Sequence, residues 1–152
     1  PDTYFIHNNT KDTALLKRAY QQMEMHLNML WSERDDNLPF KSPYEALIMA
    51  SIVEKESAVA EERPVIAGVF INRLRKGMRL QTDPTVIYGI GESYDGDIRF
   101  KDLRTDTPYN TYTRKGLTPT PIAMPGLGAL EAVIPRVGCR ESAKASPPRV
   151  NR

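Results

Sequence analysis

The sequence predicts an α+β fold that is mainly helical, with a small β-sheet formed after residue 90. Apolar residues recur at helical spacing over residues 12–33 and again over residues 46–60. Ile98 and Phe100 alternate with charged neighbours, which is the period of a half-buried strand or hairpin arm. A chain of 152 residues is long enough to bury one core.

The first two helices have recognisable starts. Asp12 can cap a helix that runs to about Glu33. Ser42 can cap the next helix, Pro43 suits its first position, and Glu45 completes a capping box. We expect the other helices to pack around this second helix.

Three further helices are predicted, from Pro64 to Gly77, from about Thr82 to Gly91, and from Gly126 to Ile134. The short turn before Pro64 predicts that the second and third helices form a hairpin. Such a hairpin would bring Asn72 or Arg73 near the level of Glu56.

Charge and composition exclude several function classes. The formal net charge is +2, but residues 135–152 contain five basic residues against one acidic residue, so the high pI reflects this tail. Nucleic acid is therefore not expected as a partner of the body. The single cysteine, Cys139, excludes an internal disulfide, and neither a zinc-binding motif nor a phosphate-binding glycine loop is present, so no metal or cofactor is expected.

Glu56 is the candidate catalytic residue on the second helix. At about 100° per residue, it falls in the middle of an apolar stripe formed by Met49, Ile52, Val53, Val59 and Ala60. Glu54 points to the opposite face, so we expect Glu54 to face water and Glu56 the interior or a cleft floor. Removal from water raises the pKa of a glutamate above its usual value of about 4.3, as a general acid requires. The alternative is a structural glutamate paired with Arg63 or Arg73.

A loop rich in aromatic and amide side chains could recognise sugars. Tyr109, Asn110 and Tyr112 offer hydrogen-bonding groups for hydroxyls and acetamides, and flat faces for pyranose rings. The alternative is a tight turn with two half-buried tyrosines.

Two long blocks resemble one known family. ASIVEKESAVAEERPVIAGVFINRLRKGMRLQTDPTVIYG and TPYNTYTRKGLTPTPIAMPG are similar to the endolytic murein transglycosylases, or YceG-like proteins, and the resemblance extends from residue 1 to about residue 134. It implies a catalytic domain that cleaves the bond between N-acetylmuramic acid and N-acetylglucosamine inside peptidoglycan strands. The cleavage is non-hydrolytic and leaves 1,6-anhydro-muramic ends.

The resemblance also implies roles for individual residues. Glu56, the second acid of the EKE block, would protonate the glycosidic oxygen and then deprotonate the muramic 6-hydroxyl. One carboxyl is then sufficient, unlike the usual glycosidase pair, although Asp83 stays open as a second acid. Residues that would line or shape the glycan cleft are Gln81, Thr82, Asp83, Asn110 and Tyr112.

The resemblance places the protein in the bacterial cell envelope, at the outer face of the cytoplasmic membrane beside peptidoglycan synthases. The resemblance implies that family members carry an amino-terminal membrane helix and a LysM-like domain before the PDTY stretch at residues 1–4. Similarity stops near Pro135, and residues 135–152 are expected to form a basic, disordered tail in place of the family's final strand and helix. Loss of that strand would leave the sheet incomplete. The alternative function is therefore an inactive, truncated peptidoglycan-binding module.

Overall fold

The computed structural model describes residues 2–136, which contain six α-helices. They are α1 (Asp12–Ser32), α2 (Pro43–Glu56), α3 (Arg63–Arg75), α4 (Asp83–Ile90), α5 (Phe100–Arg104) and α6 (Leu127–Val133). Short 3-10 turns at Ala60–Glu62 and Gly91–Ser93 precede α3 and follow α4. The helices predicted from the sequence are therefore confirmed in number and order, apart from the short α5.

Helix α2 lies at the centre of the fold, as predicted. It packs against α1, α3, α4 and α6. The buried residues of α2 are Ala46, Ile48, Met49, Ala50, Ser51, Ile52 and Val53. Such a helix, apolar on most of its surface, can exist only where neighbours cover it on several sides.

The start of α2 confirms the predicted cap. The Ser42 hydroxyl accepts a hydrogen bond from the Glu45 N–H at 3.3 Å, and Pro43 occupies the first helical turn. The Glu45 carboxylate accepts from the Lys41 N–H at 2.7 Å. The Glu45 side chain therefore bonds the N–H of the residue before the N-cap, so the reciprocal bond to the Ser42 N–H that a capping box requires is not the one observed.

The predicted β-sheet is wrong for the residues that the structure describes. The only β pairing between residues 2 and 136 is an isolated antiparallel bridge between Arg34 and Arg136. Phe100, expected in a strand, begins α5 and is 80% exposed. The Asp102 carboxylate accepts the Arg99 N–H at 2.9 Å. This local cap starts a helical turn. Alternation of apolar and charged residues does not specify a strand where no sheet buries the apolar side chains. The described fold is mostly α.

Helix α2 also ends earlier than predicted, at Glu56 rather than residue 60. The Ser57 backbone is extended, with φ −139° and ψ 131°. The Ser57 hydroxyl accepts from the Val59 N–H at 3.0 Å and donates to the Glu62 carboxylate at 2.8 Å. Serine side chains that bond the nearby backbone compete with helix continuation in this way.

Two expectations concern the ends of the chain. Residues 137–152, most of the predicted basic tail, lie outside the described residues. Within residues 2–136, no helix has both the length and the hydrophobicity needed to cross a bilayer.

Candidate active site

Glu56 is exposed at the carboxyl end of α2. The apolar stripe that was expected to bury it is interrupted at this residue, because α2 ends there and Val59 is 48% exposed. The expectation that Glu56 faces the interior is therefore wrong. The expected protonation of Glu56 had depended on this burial.

Glu54, rather than Glu56, is the partly buried glutamate that pairs with an arginine. The Arg63 guanidinium donates to Glu54 Oε1 at 3.1 Å, and the two side chains are only 16% and 21% exposed. The Gly126 N–H donates to Glu54 Oε2 at 2.9 Å. Glu54 therefore ties α2 to the start of α3 and to the residue before α6, and the expectation that it faces water is wrong.

Glu56 is contacted by the segment before α4. The Thr82 hydroxyl donates to Glu56 Oε2 at 2.5 Å, and the Thr82 side chain is almost fully buried. The structure therefore joins two of the predicted site residues that are 26 positions apart in sequence.

Two further threonines hold the Thr82 backbone. The Thr82 N–H donates to the Thr111 hydroxyl at 3.1 Å, and the Thr85 hydroxyl donates to the Thr82 carbonyl at 2.7 Å. The Thr85 and Thr111 hydroxyl oxygens are 2.8 Å apart. Both residues are buried, and their hydrogen bonds connect the start of α4 to the loop after residue 110.

Tyr112 and Asp83 form a second pair at the site. The Tyr112 hydroxyl donates to Asp83 Oδ1 at 2.5 Å. Burial of the phenol, followed by its hydrogen bond to Asp83, raises the pKa of Tyr112 from 10.0 to about 12. The charge of Glu56 raises this pKa further and that of Arg73 lowers it. Asp83, Glu56 and Arg73 therefore all lie within electrostatic reach of Tyr112.

Asn110 is 1% exposed, and its polar atoms are used inside the protein. Its side-chain amide nitrogen donates to the carbonyls of Asp102, Leu103 and Thr105, at 3.2, 3.2 and 2.7 Å. Its oxygen accepts the Tyr112 N–H at 2.8 Å. Asn110 thus shapes the site by fixing the end of α5 to the loop that presents Tyr112.

The aromatic loop forms a turn that uses several of its side chains inside the protein. Tyr109 is half-buried, bonds Thr120 through its hydroxyl at 2.8 Å and packs edge-on against Tyr88. Together with buried Asn110 and half-buried Tyr112, this matches the tight turn with two half-buried tyrosines.

Gln81 is exposed beside the site and has a positive φ of 54°. Its N–H donates to the Thr111 carbonyl at 3.2 Å. Within residues 2–136 it is the only residue other than glycine with positive φ. Unfavourable backbone geometry of this kind is concentrated at functional sites in proteins.

Three residues of the arrangement were missed or only loosely placed by sequence reasoning. Thr85 and Thr111 carry no signal beyond their presence in the TDPT and YNTYT segments. Arg73, predicted near Glu56, donates to the Leu80 carbonyl and acts electrostatically on Tyr112. Asn72 is exposed, without a described contact to the site.

Two surface grooves lie elsewhere on the molecule. One, of about 700 Å³, lies between the start of α2 and residues 116–119. The other, of about 660 Å³, is mainly apolar and lies between α1 and residues 121–130. Glu56 lines neither of these two grooves.

Comparison with known proteins identifies the family. Residues 1–137 match the model of the YceG-like family. The chain belongs to the YceG-like family. This confirms the family that the two sequence blocks resembled, and the match ends three residues beyond the expected boundary at residue 134.

The relatives are longer proteins. An endolytic murein transglycosylase of Bacillus subtilis is 43% identical over 137 residues, which cover 88% of this chain and 37% of that protein. One of Streptococcus pneumoniae is 37% identical over 140 residues, covering 88% of this chain and 25% of that protein. The chain therefore spans little more than a third, or less, of these relatives.

A solved structure agrees with the fold. A yceG-like protein of Listeria monocytogenes superposes with a TM-score of 0.65 at 36% sequence identity, over 88% of this chain and 43% of that one. The helical arrangement around α2 is therefore shared with another YceG-like protein.

Proposed function

We propose that this chain is part of the catalytic domain of a lytic transglycosylase that cleaves peptidoglycan strands internally. Residues 1–134 would form that part, and residues 135–152 a separate tail. The proposal is supported by the names of the relatives, which are endolytic murein transglycosylases. The observation that carries it is the exposed Glu56 carboxyl, which is held at one oxygen by the buried Thr82 hydroxyl.

The proposed reaction uses Glu56 twice. Glu56 first donates its proton to the glycosidic oxygen, so that N-acetylglucosamine leaves as an alcohol and the muramic anomeric carbon becomes oxocarbenium-like. The Glu56 carboxylate then removes the proton from the muramic 6-hydroxyl, whose oxygen bonds to the anomeric carbon. The 1,6-anhydro ring closes, Glu56 regains its proton, and no water is consumed.

Because Glu56 is exposed, the bound substrate itself would have to shield the carboxyl from water. A glycan strand can be cleaved only where it reaches the carboxyl, and Glu56 is exposed. A bound strand would cover the carboxyl and exclude water, which favours the neutral, proton-donating form. We propose Gln81, Asp83 and Tyr112 as the neighbouring residues that contact the strand. Thr82 and Asn110 are buried, so they would shape the site from beneath.

The test compares two glutamates on one helix. Purified wild-type chain, Glu56→Gln and Glu54→Gln are incubated with peptidoglycan, and the muropeptides are analysed by mass spectrometry. Wild type and folded Glu54→Gln should release anhydro-muropeptides, whereas Glu56→Gln should release none. Binding to peptidoglycan without any product from the wild type would instead support an inactive binding module. Equal release by Glu56→Gln would overturn the assignment of Glu56.

We further propose that the parent protein acts in the cell envelope, at the outer face of the cytoplasmic membrane beside peptidoglycan synthases. The proposed substrate is located there, and the family resemblance implies the same setting. Cross-linking in intact cells tests this, and recovery of the parent protein with cytoplasmic proteins alone would contradict it.

A further inference from the structure

We infer that Thr82 is a positioning residue that orients the Glu56 carboxyl and thereby selects Oε1 as the atom that transfers the proton. The inference rests on the proposed function of Glu56. It gives a specific role to Thr82, which the family resemblance had placed among the residues that would line or shape the glycan cleft. A side chain that is only 2% exposed is covered by protein and has little surface to offer a sugar.

The directions of the hydrogen bonds around Thr82 follow from the number of available hydrogens. Each threonine hydroxyl has one hydrogen to donate. That of Thr85 is donated to the Thr82 carbonyl, because a carbonyl can only accept. In the contact between Thr85 and Thr111, the donor is therefore Thr111. Both hydroxyl hydrogens are used within the cluster, and neither is donated to Glu56.

The Thr82 hydroxyl hydrogen has one acceptor. Among residues 2–136, its described hydrogen bond is to Glu56 Oε2 at 2.5 Å. The Thr82 backbone cannot rotate away to another partner, because its N–H and its carbonyl are each bonded to a buried threonine. Thr82 therefore donates to Glu56 from a fixed position.

This donation distinguishes the two Glu56 oxygens. Oε2 accepts from Thr82, whereas Oε1 has no hydrogen-bond partner among the described residues. A proton placed on Oε2 would compete with the Thr82 hydrogen for the same space. The transferable proton consequently belongs on Oε1, the oxygen free to meet the glycosidic oxygen.

Glu56 needs such a restraint because of where it lies. It is the last residue of α2, and its side chain is exposed. An exposed glutamate samples several rotamers, and ordering it has an entropic cost. A buried donor that fixes the carboxyl before the substrate binds removes much of that cost from the reaction.

The kinetic test removes the hydroxyl and keeps the shape. Thr82→Val should lower kcat by about 10- to 100-fold while KM changes by less than about twofold, because the carboxyl is misoriented while the glycan-contacting surface is kept. Thr82→Ser restores the donor and should recover kcat to within about threefold of wild type. Thr118→Val is the matched control, since Thr118 is only 3% exposed and its hydroxyl donates to the Thr120 carbonyl rather than to Glu56.

A second measurement does not depend on catalysis. The buried Thr82 hydroxyl proton should exchange slowly and give an NMR resonance that shifts in Glu56→Gln and stays in place in Glu54→Gln. Equal kcat in Thr82→Val and Thr118→Val would overturn the inference, as would a hydroxyl resonance insensitive to Glu56→Gln. If the wild type releases no product, the proposed function fails, and the resonance alone decides whether Thr82 holds Glu56.

Discussion

Arg63 and Glu54 form a partly buried ion pair at 3.1 Å, and this pair explains why two glutamates on one helix differ. The Glu54 carboxylate is also held by the Gly126 N–H. Glu56, two residues later, is exposed and receives the Thr82 hydroxyl. The structural glutamate and the candidate catalytic glutamate are therefore the two acids of one EKE segment.

Replacing each glutamate by glutamine should change the free energy of unfolding by different amounts. Glu54→Gln removes the charge opposite Arg63 in a partly buried site and should lower the free energy of unfolding by about 1–3 kcal/mol. Glu56→Gln keeps an acceptor for Thr82 at an exposed position and should change it by less than about 0.5 kcal/mol. Urea denaturation measures both variants. Equal destabilisation would mean that the two residues do not have separate roles.

Gln81 should be replaceable by glycine with a gain in stability. A left-handed conformation destabilises a folded residue that has a side chain by about 1–2 kcal/mol. Glycine avoids this cost, but it also increases the conformational entropy of the unfolded chain, which cancels about half of the gain. Gln81→Gly should therefore stabilise the chain by about 0.5–1 kcal/mol, and Gln81→Val should destabilise it. Thermal unfolding of the purified proteins should rank their stabilities as Gln81→Gly, then wild type, then Gln81→Val.

Gly77 is the matched control for this backbone effect. It has a φ of 62°, and a Cβ added there would meet nothing within 4 Å. Gly77→Ala should therefore lose about 1 kcal/mol through the backbone alone. A neutral Gly77→Ala together with a destabilising Gln81→Gly would contradict the argument. If Gln81→Gly is more stable but releases less product, its side chain contacts the glycan.

The helices could be predicted from the sequence because their signals are local. The Ser42 cap, Pro43 and the periodic apolar residues of α2 depend on neighbours within a few positions. The absence of a sheet from residues 2–136 could not be predicted, since the alternation at Ile98 and Phe100 specifies a strand only where another element covers it. The end of α2 was missed because it depends on Ser57 bonding to Glu62.

The members of the candidate site could be proposed from the sequence, but their environments could not. The family blocks contain Glu56, Thr82, Asp83 and Tyr112, and the structure brings these residues together. Helical periodicity gave the wrong burial for Glu56, because periodicity carries no information on where a helix stops. The contacts of Thr82 and Thr111 span 29 residues, and no local pattern encodes them.

Asn110 should prove to be a structural residue. Its amide nitrogen donates to three carbonyls at the end of α5. Asn110→Asp replaces this donor with a carboxylate, so the carbonyls lose their partner and face a negative charge. We expect a loss of about 2–4 kcal/mol in the free energy of unfolding, measured by urea denaturation. An Asn110→Ala variant with wild-type stability and weaker peptidoglycan binding would show instead that Asn110 acts on the substrate.

Tyr112 should titrate abnormally, and Asp83 should be part of the reason. Because burial and the Asp83 hydrogen bond raise the pKa of Tyr112 from 10.0 to about 12, the protonated phenol is favoured in the folded chain. Its contribution to stability is therefore complete below pH 10.0 and is lost as the pH rises through about 12. In Asp83→Asn the carboxylate is absent while burial remains, so the Tyr112 pKa should fall between these two values. NMR titration of the labelled tyrosine rings measures it, with exposed Tyr20 as an internal reference. A Tyr112 pKa that is unchanged in Asp83→Asn would mean that burial alone accounts for the shift, and would contradict the contribution assigned to the Asp83 hydrogen bond.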